Sequence, residues 1–131
     1  MENLDVKSVM AAFWASFDRG SLDGMVACLH DDFEWALPTG HADPQGYVVR
    51  GKAAARDYLQ KRFFENKNNA PKFTERSIEI CEQLAIVRLR VLARGVNGEK
   101  IDAAALEVYR VTDGKIRSKE AYWKQVSWPD A

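Results

Sequence analysis

The sequence predicts an α+β domain in which three N-terminal helices pack on a curved antiparallel sheet and enclose an apolar pocket. Two patterns and one size argument carry that expectation. Apolar residues recur every three or four positions as far as about residue 65, and from Lys72 onward they alternate. Apart from one short strand, a helical half is therefore followed by a strand half. Asn97-Gly98 and Asp113-Gly114 separate alternating runs, as the turns of tight hairpins do. At 131 residues the chain suits one domain, residues 1–131, whose core buries about two-thirds of the unfolded surface without staples.

The first helix is expected over Asp5–Arg19, where Val6, Val9, Met10, Phe13, Trp14 and Phe17 form one stripe. Gly20 can end it in a left-handed conformation, and Ser21 can cap a second helix that carries Leu22, Met25, Val26 and Leu29 on one side. Phe33–Leu37 reads as a short strand, broken by Pro38 and Gly40. A polar loop over Thr39–Arg50 contains His41 and leads to a third helix over Gly51–Glu65, with Ala55, Tyr58, Leu59, Arg62 and Phe63 on its inner side. Phe73–Cys81, Leu84–Val96, Glu99–Val111 and Lys115–Val126 then read as consecutive strands of an antiparallel meander. Ser127–Ala131 reads as an ordered end that frays.

Charge narrows the function classes. Nineteen basic residues balance nineteen acidic ones, so no strong field draws the chain to nucleic acid or to an anionic membrane. A small neutral partner fits better. No apolar run approaches the roughly 20 residues of a membrane span, and the start MENLDVKS lacks the regions of a signal peptide. A cytoplasmic location is the expectation. Cys28 and Cys81 have no metal-ligand spacing to each other or to His30 or His41. They are read as reduced, buried thiols, and no metal or other cofactor is expected.

Glu107 is the first candidate for chemistry. It shares strand parity with Ile101, Ala103, Ala105, Tyr109 and Val111, so a carboxyl interrupts an otherwise apolar face. Burial penalises the charged form of such a group, which suits a general acid or base near neutrality. Two hairpin registers remain open. A three-residue loop, Thr112 to Gly114, sets Glu107 opposite Lys119 in a structural ion pair, whereas a two-residue loop sets it opposite Glu120. Trp14, Trp35, Tyr58, Phe63, Tyr109 and Trp123 are rings that can converge on a flat or apolar ligand or simply fill the core. Arg88, Arg90 and Arg94 share one parity, and the favoured reading is a solvated outer face paired with acids such as Glu79 and Asp102. His30 is read as interacting with the C-terminus of the second helix.

Three phrases, RGSLDGMVACLHDDFEW at 19–35, RGKAAARDYL at 50–59 and EVYRVTDGKI at 107–116, make the chain resemble the NTF2-like superfamily, in particular its SnoaL-like and ketosteroid-isomerase-like members. The resemblance implies a cystatin-like, NTF2-like cone with a pocket at its open end, and a homodimer formed through the outer face of the sheet. It also implies that the loop carrying His41 folds over the pocket mouth, where a histidine can shuttle protons. The isomerase roles of tyrosine donor, carboxylate base and protonated acid fall on Phe13, Leu37 and Glu107, and only Glu107 retains its chemistry. The aspartate used by cyclase relatives falls on Ala121, with Glu120 as the substitute if the alignment slips. The expected catalytic set is therefore Glu107 with His41 or Tyr109 assisting. Trp14, Trp35, Tyr58, Phe63, Lys119 and Trp123 are expected to line the ligand site. A cofactor-independent isomerase, cyclase, dehydratase or hydrolase acting by proton transfer on a hydrophobic or polyketide-like substrate is one reading. A non-catalytic binding or dimerisation module is the other.

Overall fold

The computed structural model describes residues 2–40, 43–65, 68, 70–95 and 97–124. Helix α1 spans Glu2–Asp18, and its stripe of Val6, Met10, Phe13 and Trp14 is buried. Each large side chain so removed from water contributes about 1.5–3 kcal/mol. Gly20 turns the chain at φ 73°, and the Ser21 hydroxyl accepts from the Gly24 N–H at 3.0 Å, a cap typically worth about 1 kcal/mol. Helix α2 is Leu22–Ala27. It packs so tightly on α1 that a Cβ on Gly24 would lie 2.5 Å from the Ser16 hydroxyl.

Strand β1 runs Leu29–Ala36, so Leu29 and His30 belong to a strand rather than to the end of the second helix. The His30 Nδ1 accepts from the Asp32 N–H at 3.0 Å, a local turn-like bond and not a helix cap. The polar loop expected to reach Arg50 instead closes on a short strand, β2 (Val48–Arg50), held to β1 by pairing of Glu34 with Arg50. Helix α3 covers Lys52–Leu59 and continues as one π-turn over Gln60–Phe64. That turn leaves Phe63 buried and Arg62 exposed, so Arg62 is not on the inner side.

The remaining strands are β3 (Lys72–Cys81), β4 (Leu84–Arg94), β5 (Lys100–Thr112) and β6 (Lys115–Trp123). The sheet order is β2-β1-β6-β5-β4-β3. The meander β3 to β6 is antiparallel as expected, but β1 joins β6 in parallel. Alternation cannot reveal such a pairing, because its partners are separated by α3 and the whole meander, the long crossover that parallel strands require. The helices cover one face of the sheet, and the other carries Arg88, Arg90, Asp102 and Glu120 in water. Arg88 meets Glu79 at 3.9 Å and Arg90 meets Asp102 at 2.7 Å, as the outer-face reading anticipates. Cys81 is exposed at the end of β3, contrary to the buried reading, and Cys28 is half-buried with its thiol donating to the Gly24 carbonyl at 3.4 Å. Burial raises the Cys28 pKa, which keeps it a thiol. No helix among the described residues is long and apolar enough to cross a membrane. Val96 and the tail from Gln125 to Ala131 lie outside the described residues.

The β5–β6 hairpin decides what faces the helices. Asp113 and Gly114 both take positive φ, 54° and 73°, in a two-residue turn that pairs Thr112 with Lys115. Continued straight, that register would place Glu107 against Glu120. Arg117 prevents this by forming a bulge, after Val111 pairs with Ile116 and before Arg110 pairs with Ser118. Its guanidinium donates to the Asp32 carbonyl of β1, tying the bulge to the neighbouring strand. Beyond the bulge Tyr109 lies opposite Lys119, and Glu107 opposite Ala121. Neither direct register anticipated for Glu107 occurs. Glu107 and Lys119 nevertheless share the inner face as diagonal neighbours, and Glu120 points outward, where it accepts from the Tyr122 hydroxyl.

Candidate functional site

Pairing places Trp35 of β1, Lys119 of β6 and Tyr109 of β5 in one row across the inner face, with Glu107 one step along. The Tyr109 hydroxyl donates to Glu107 Oε1 at 2.6 Å. Lys119 Nζ lies 3.5 Å from Glu107 Oε2, 4.3 Å from the centre of the Trp35 ring and 5.4 Å from that of Tyr109. Glu107, Tyr109 and Lys119 are 1%, 0% and 6% exposed. Three polar groups thus share one dry site, where each interaction is stronger than in water and each unpaired group is costlier. On the same face Ala105 precedes Glu107 along β5, Ala121 stands opposite it on β6 and Val87 opposite it on β4, all three buried.

Electrostatics assigns protonation roles. Burial pushes the Tyr109 phenol well above its ordinary range, and the charge of Glu107 and the hydrogen bond to it push the same way. Tyr109 is therefore held as a donor. Burial lowers Lys119, while Glu107 opposes that effect through its charge and a side-chain hydrogen bond. The ion pair keeps the ammonium from being an isolated buried charge.

The rings form a circuit around this triad. From Tyr109 it passes to Phe13 at 5.9 Å, Trp14 at 5.9 Å, Phe73 at 6.3 Å, Phe63 at 5.8 Å and Trp35 at 6.4 Å between centroids. Lys119, between Trp35 and Tyr109, closes it. Tyr58 stands edge-on to Trp35 at 5.0 Å, its pKa raised by burial and lowered by the neighbouring Arg62. Trp123 is partly buried against the same core. The sequence-expected residues Glu107, Tyr109, Lys119, Trp14, Trp35, Tyr58 and Phe63 are thus brought together. His41 lies outside the described residues.

Two contributors were missed. Phe13 enters the sequence reading only as the position where the resemblance implies a tyrosine, yet it is the ring that joins Trp14 to Tyr109. Arg76 follows the inward parity of Ile78 and Ile80, a signal present in the sequence. Its guanidinium lies 4.4 Å over the Trp14 ring and donates to Asp18 at 2.7 Å. Among the described residues, Nε1 of Trp14, Trp35 and Trp123 and Nη1 of Arg76 are buried without a hydrogen-bond partner.

Two cavities flank the site. One of about 470 Å³ lies beside α3 and is lined by Tyr47, Val49, Arg50, Tyr58 and Arg62. The other, about 390 Å³, is bounded by Pro44, Gln45 and the outer side of β1 and β6, and it reaches Lys119. Glu107 and Tyr109 line neither.

The sequence profile of the SnoaL-like domain family matches residues 10–119. No curated protein matches the chain. Solved structures with this fold include a candidate polyketide cyclase from Xanthomonas campestris pv. campestris, 18% identical, covering 95% of this chain and 93% of that one at a TM-score of 0.74. An NTF2-like protein from Burkholderia xenovorans is 20% identical over 95% of this chain and 92% of its own, also at 0.74. A protein of cystatin-like fold from Xanthomonas campestris is 17% identical over 92% and 91%, at 0.77. At these identities the structural likeness establishes the fold.

Proposed function

The chain belongs to the SnoaL-like domain family, and from that premise we propose a cofactor-independent enzyme that moves a proton on a small, flat, largely apolar molecule held against the ring circuit. The observation that carries the reading is Glu107, a carboxyl 1% exposed and contacted by one donor and one cation on an aromatic face. A carboxylate has about four lone-pair sites, so Glu107 can accept a substrate proton while it still accepts from Tyr109. In this scheme Glu107 removes a proton from carbon beside a carbonyl, and Lys119 faces the oxygen on which negative charge develops. The proton returns from Glu107 to the substrate at a second carbon, so no oxidant or reductant is required. Tyr109 assists by holding the carboxylate in place.

The steroid-isomerase arrangement is not adopted, because Phe13 and Leu37 are buried hydrocarbon side chains. The same absence favours a second reading, a binding module without turnover, since Ala121 stands directly opposite Glu107 where a second carboxylate would complete a dyad. A homodimer through the outer face of the sheet is part of the proposal, supported by Tyr122, 54% exposed, among half-buried Ile86, Leu106 and Val108.

The test is deuterium wash-in at the carbons flanking the ketone of 2-tetralone, a two-ring enolisable probe. Wild-type protein accelerates it and a folded Glu107→Gln variant does not. Equal rates for the two proteins would remove Glu107 from the chemistry.

A further inference from the structure

We propose that the cavity beside α3 is a second ligand site, which takes a small flat aromatic molecule bearing one carboxylate. Arg62 recognises the carboxylate, and Tyr47 and Tyr58 receive the flat part. The site stands apart from the catalytic reading, since Glu107 and Tyr109 do not line this cavity. At about 470 Å³ it has the size that small ligands occupy.

A break in α3 puts Arg62 there. Were the helix regular, Arg62 would continue the line of Ala55 and Leu59 and lie at the middle of the buried face. Instead the Glu65 N–H donates to the Gln60 carbonyl, five residues back, at 2.9 Å. The wider turn brings Phe63 into the buried place. Arg62 is left at the margin of that face beside Tyr58, whose phenol pKa it lowers against the effect of burial. Single π-turns of this kind recur at functional sites.

Charge and rings define what fits. Arg50, Lys61 and Arg62 share the lining with a single acid, Asp57. Lys61 is met by Asp57 at 3.1 Å, and Arg50 by Glu34 at 2.7 Å. Among the described residues Arg62 has no carboxylate at ion-pair distance. One unpaired guanidinium matches one carboxylate, which its planar fork holds by two parallel hydrogen bonds. The Tyr47 ring is 63% exposed, yet its backbone is fixed. Its N–H donates to the Thr39 carbonyl and its carbonyl accepts from the Leu37 N–H, both at 2.8 Å. An exposed ring on a fixed backbone can stack on a ligand with no loop left to order. Tyr58, edge-on to Trp35, and buried Val49 supply the apolar floor. The basic cavity on the outer face, lined by Lys72, Arg94 and Lys100, has no ring and so lacks half of this chemistry.

Isothermal titration of the full chain with 2-naphthoate and 2-naphthamide, which share a ring system and differ in charge, tests the proposal. The carboxylate is expected to bind about tenfold more tightly, the effect of one charge-assisted hydrogen bond. Arg62→Gln should bring the two ligands to within about twofold of each other, and Arg62→Lys, which keeps the charge without the fork, should give an intermediate ratio. Tyr47→Ala should weaken both ligands by about fivefold. Both side chains are exposed, so neither substitution threatens the fold. Arg94→Gln and Glu107→Gln are expected to bind both ligands as the wild type does. Loss of the ratio in Arg94→Gln would move the anion to the outer face, and loss of binding in Glu107→Gln would move it to the interior. Either result would overturn the proposal, as would equal affinity for the two ligands or no binding of 2-naphthoate.

Discussion

The two faces of the sheet each carry an ion pair linking neighbouring strands, and the geometries run opposite to the consequences. On the outer face Arg90 donates through Nε and Nη2 to both oxygens of Asp102, at 2.8 and 2.7 Å. On the inner face Lys119 stands 3.5 Å from Glu107. The outer pair has the better geometry, yet both its partners are solvated and either can return to water at little loss. The inner pair is looser and buried, and neither partner has water to fall back on. Distance alone would rank them wrongly. The comparison also separates two roles. A solvated pair decorates a surface, whereas the buried carboxylate held by a lysine and a tyrosine on an aromatic face is the group on which the proposed chemistry depends.

Breaking the inner pair should give the largest effect. Glu107→Ala leaves Lys119 as an uncompensated buried cation and is expected to cost about 3–5 kcal/mol in urea denaturation. Glu107→Leu combined with Lys119→Met removes both charges together and should recover most of that loss, the Tyr109 hydroxyl alone being left without its acceptor. A double variant as unstable as Glu107→Ala would mean that packing, not charge, sets the loss.

Alkaline pH probes the same face less severely. Tyr109 has its pKa raised in the folded chain above the ordinary 10.0, so the folded state keeps a proton that the unfolded chain gives up. Its contribution is present in full below pH 10.0 and lost as pH rises from there through the raised folded value. Lys119, lowered from 10.5, works in the opposite sense, recovering stability as pH climbs from its lowered value to 10.5. Denaturation midpoints should therefore fall above pH 10.0, and Tyr109→Phe should lessen that fall more than Tyr58→Phe does, because Tyr109 is the more buried phenol.

Smaller still is Arg76→Met, which removes a cation from above Trp14 and a bond to Asp18. About 1 kcal/mol is expected. Arg90→Ala on the outer face should leave the denaturation midpoint within experimental scatter and insensitive to salt. A loss from Arg90→Ala comparable to that from Glu107→Ala would erase the distinction between the faces.

Much of this arrangement could be read from the chain, and the parts that could not share a cause. The α1 stripe, the Gly20–Ser21 junction and the four-strand meander follow from local periodicity and turn chemistry, which act over a few residues. The parity of Glu107 with Tyr109 likewise put a carboxyl on the inner face. What escaped was set by longer-range events. The parallel β1–β6 pairing joins segments separated by most of the domain, and β2 is three residues long with no pattern of its own. The Arg117 bulge is the sharpest case. The Asp113-Gly114 turn announces a two-residue hairpin, which by simple counting turns Lys119 away from Glu107. One extra residue in β6 restores it to the inner face. Nothing in the alternation marks Arg117 as that residue, because the bulge is fixed by its contact with β1. Arg76, by contrast, was visible by parity and was overlooked because a charged residue on an edge strand suggests solvent.

The most direct test of the account uses the protein in which the buried pair has been replaced by leucine and methionine. Deuterium wash-in of 2-tetralone is measured with the Glu107→Leu, Lys119→Met chain, whose fold is verified by a single cooperative thermal transition. The account predicts a folded protein that no longer accelerates exchange. Exchange at the wild-type rate from that folded protein would show that the buried carboxylate is not the group that moves the proton.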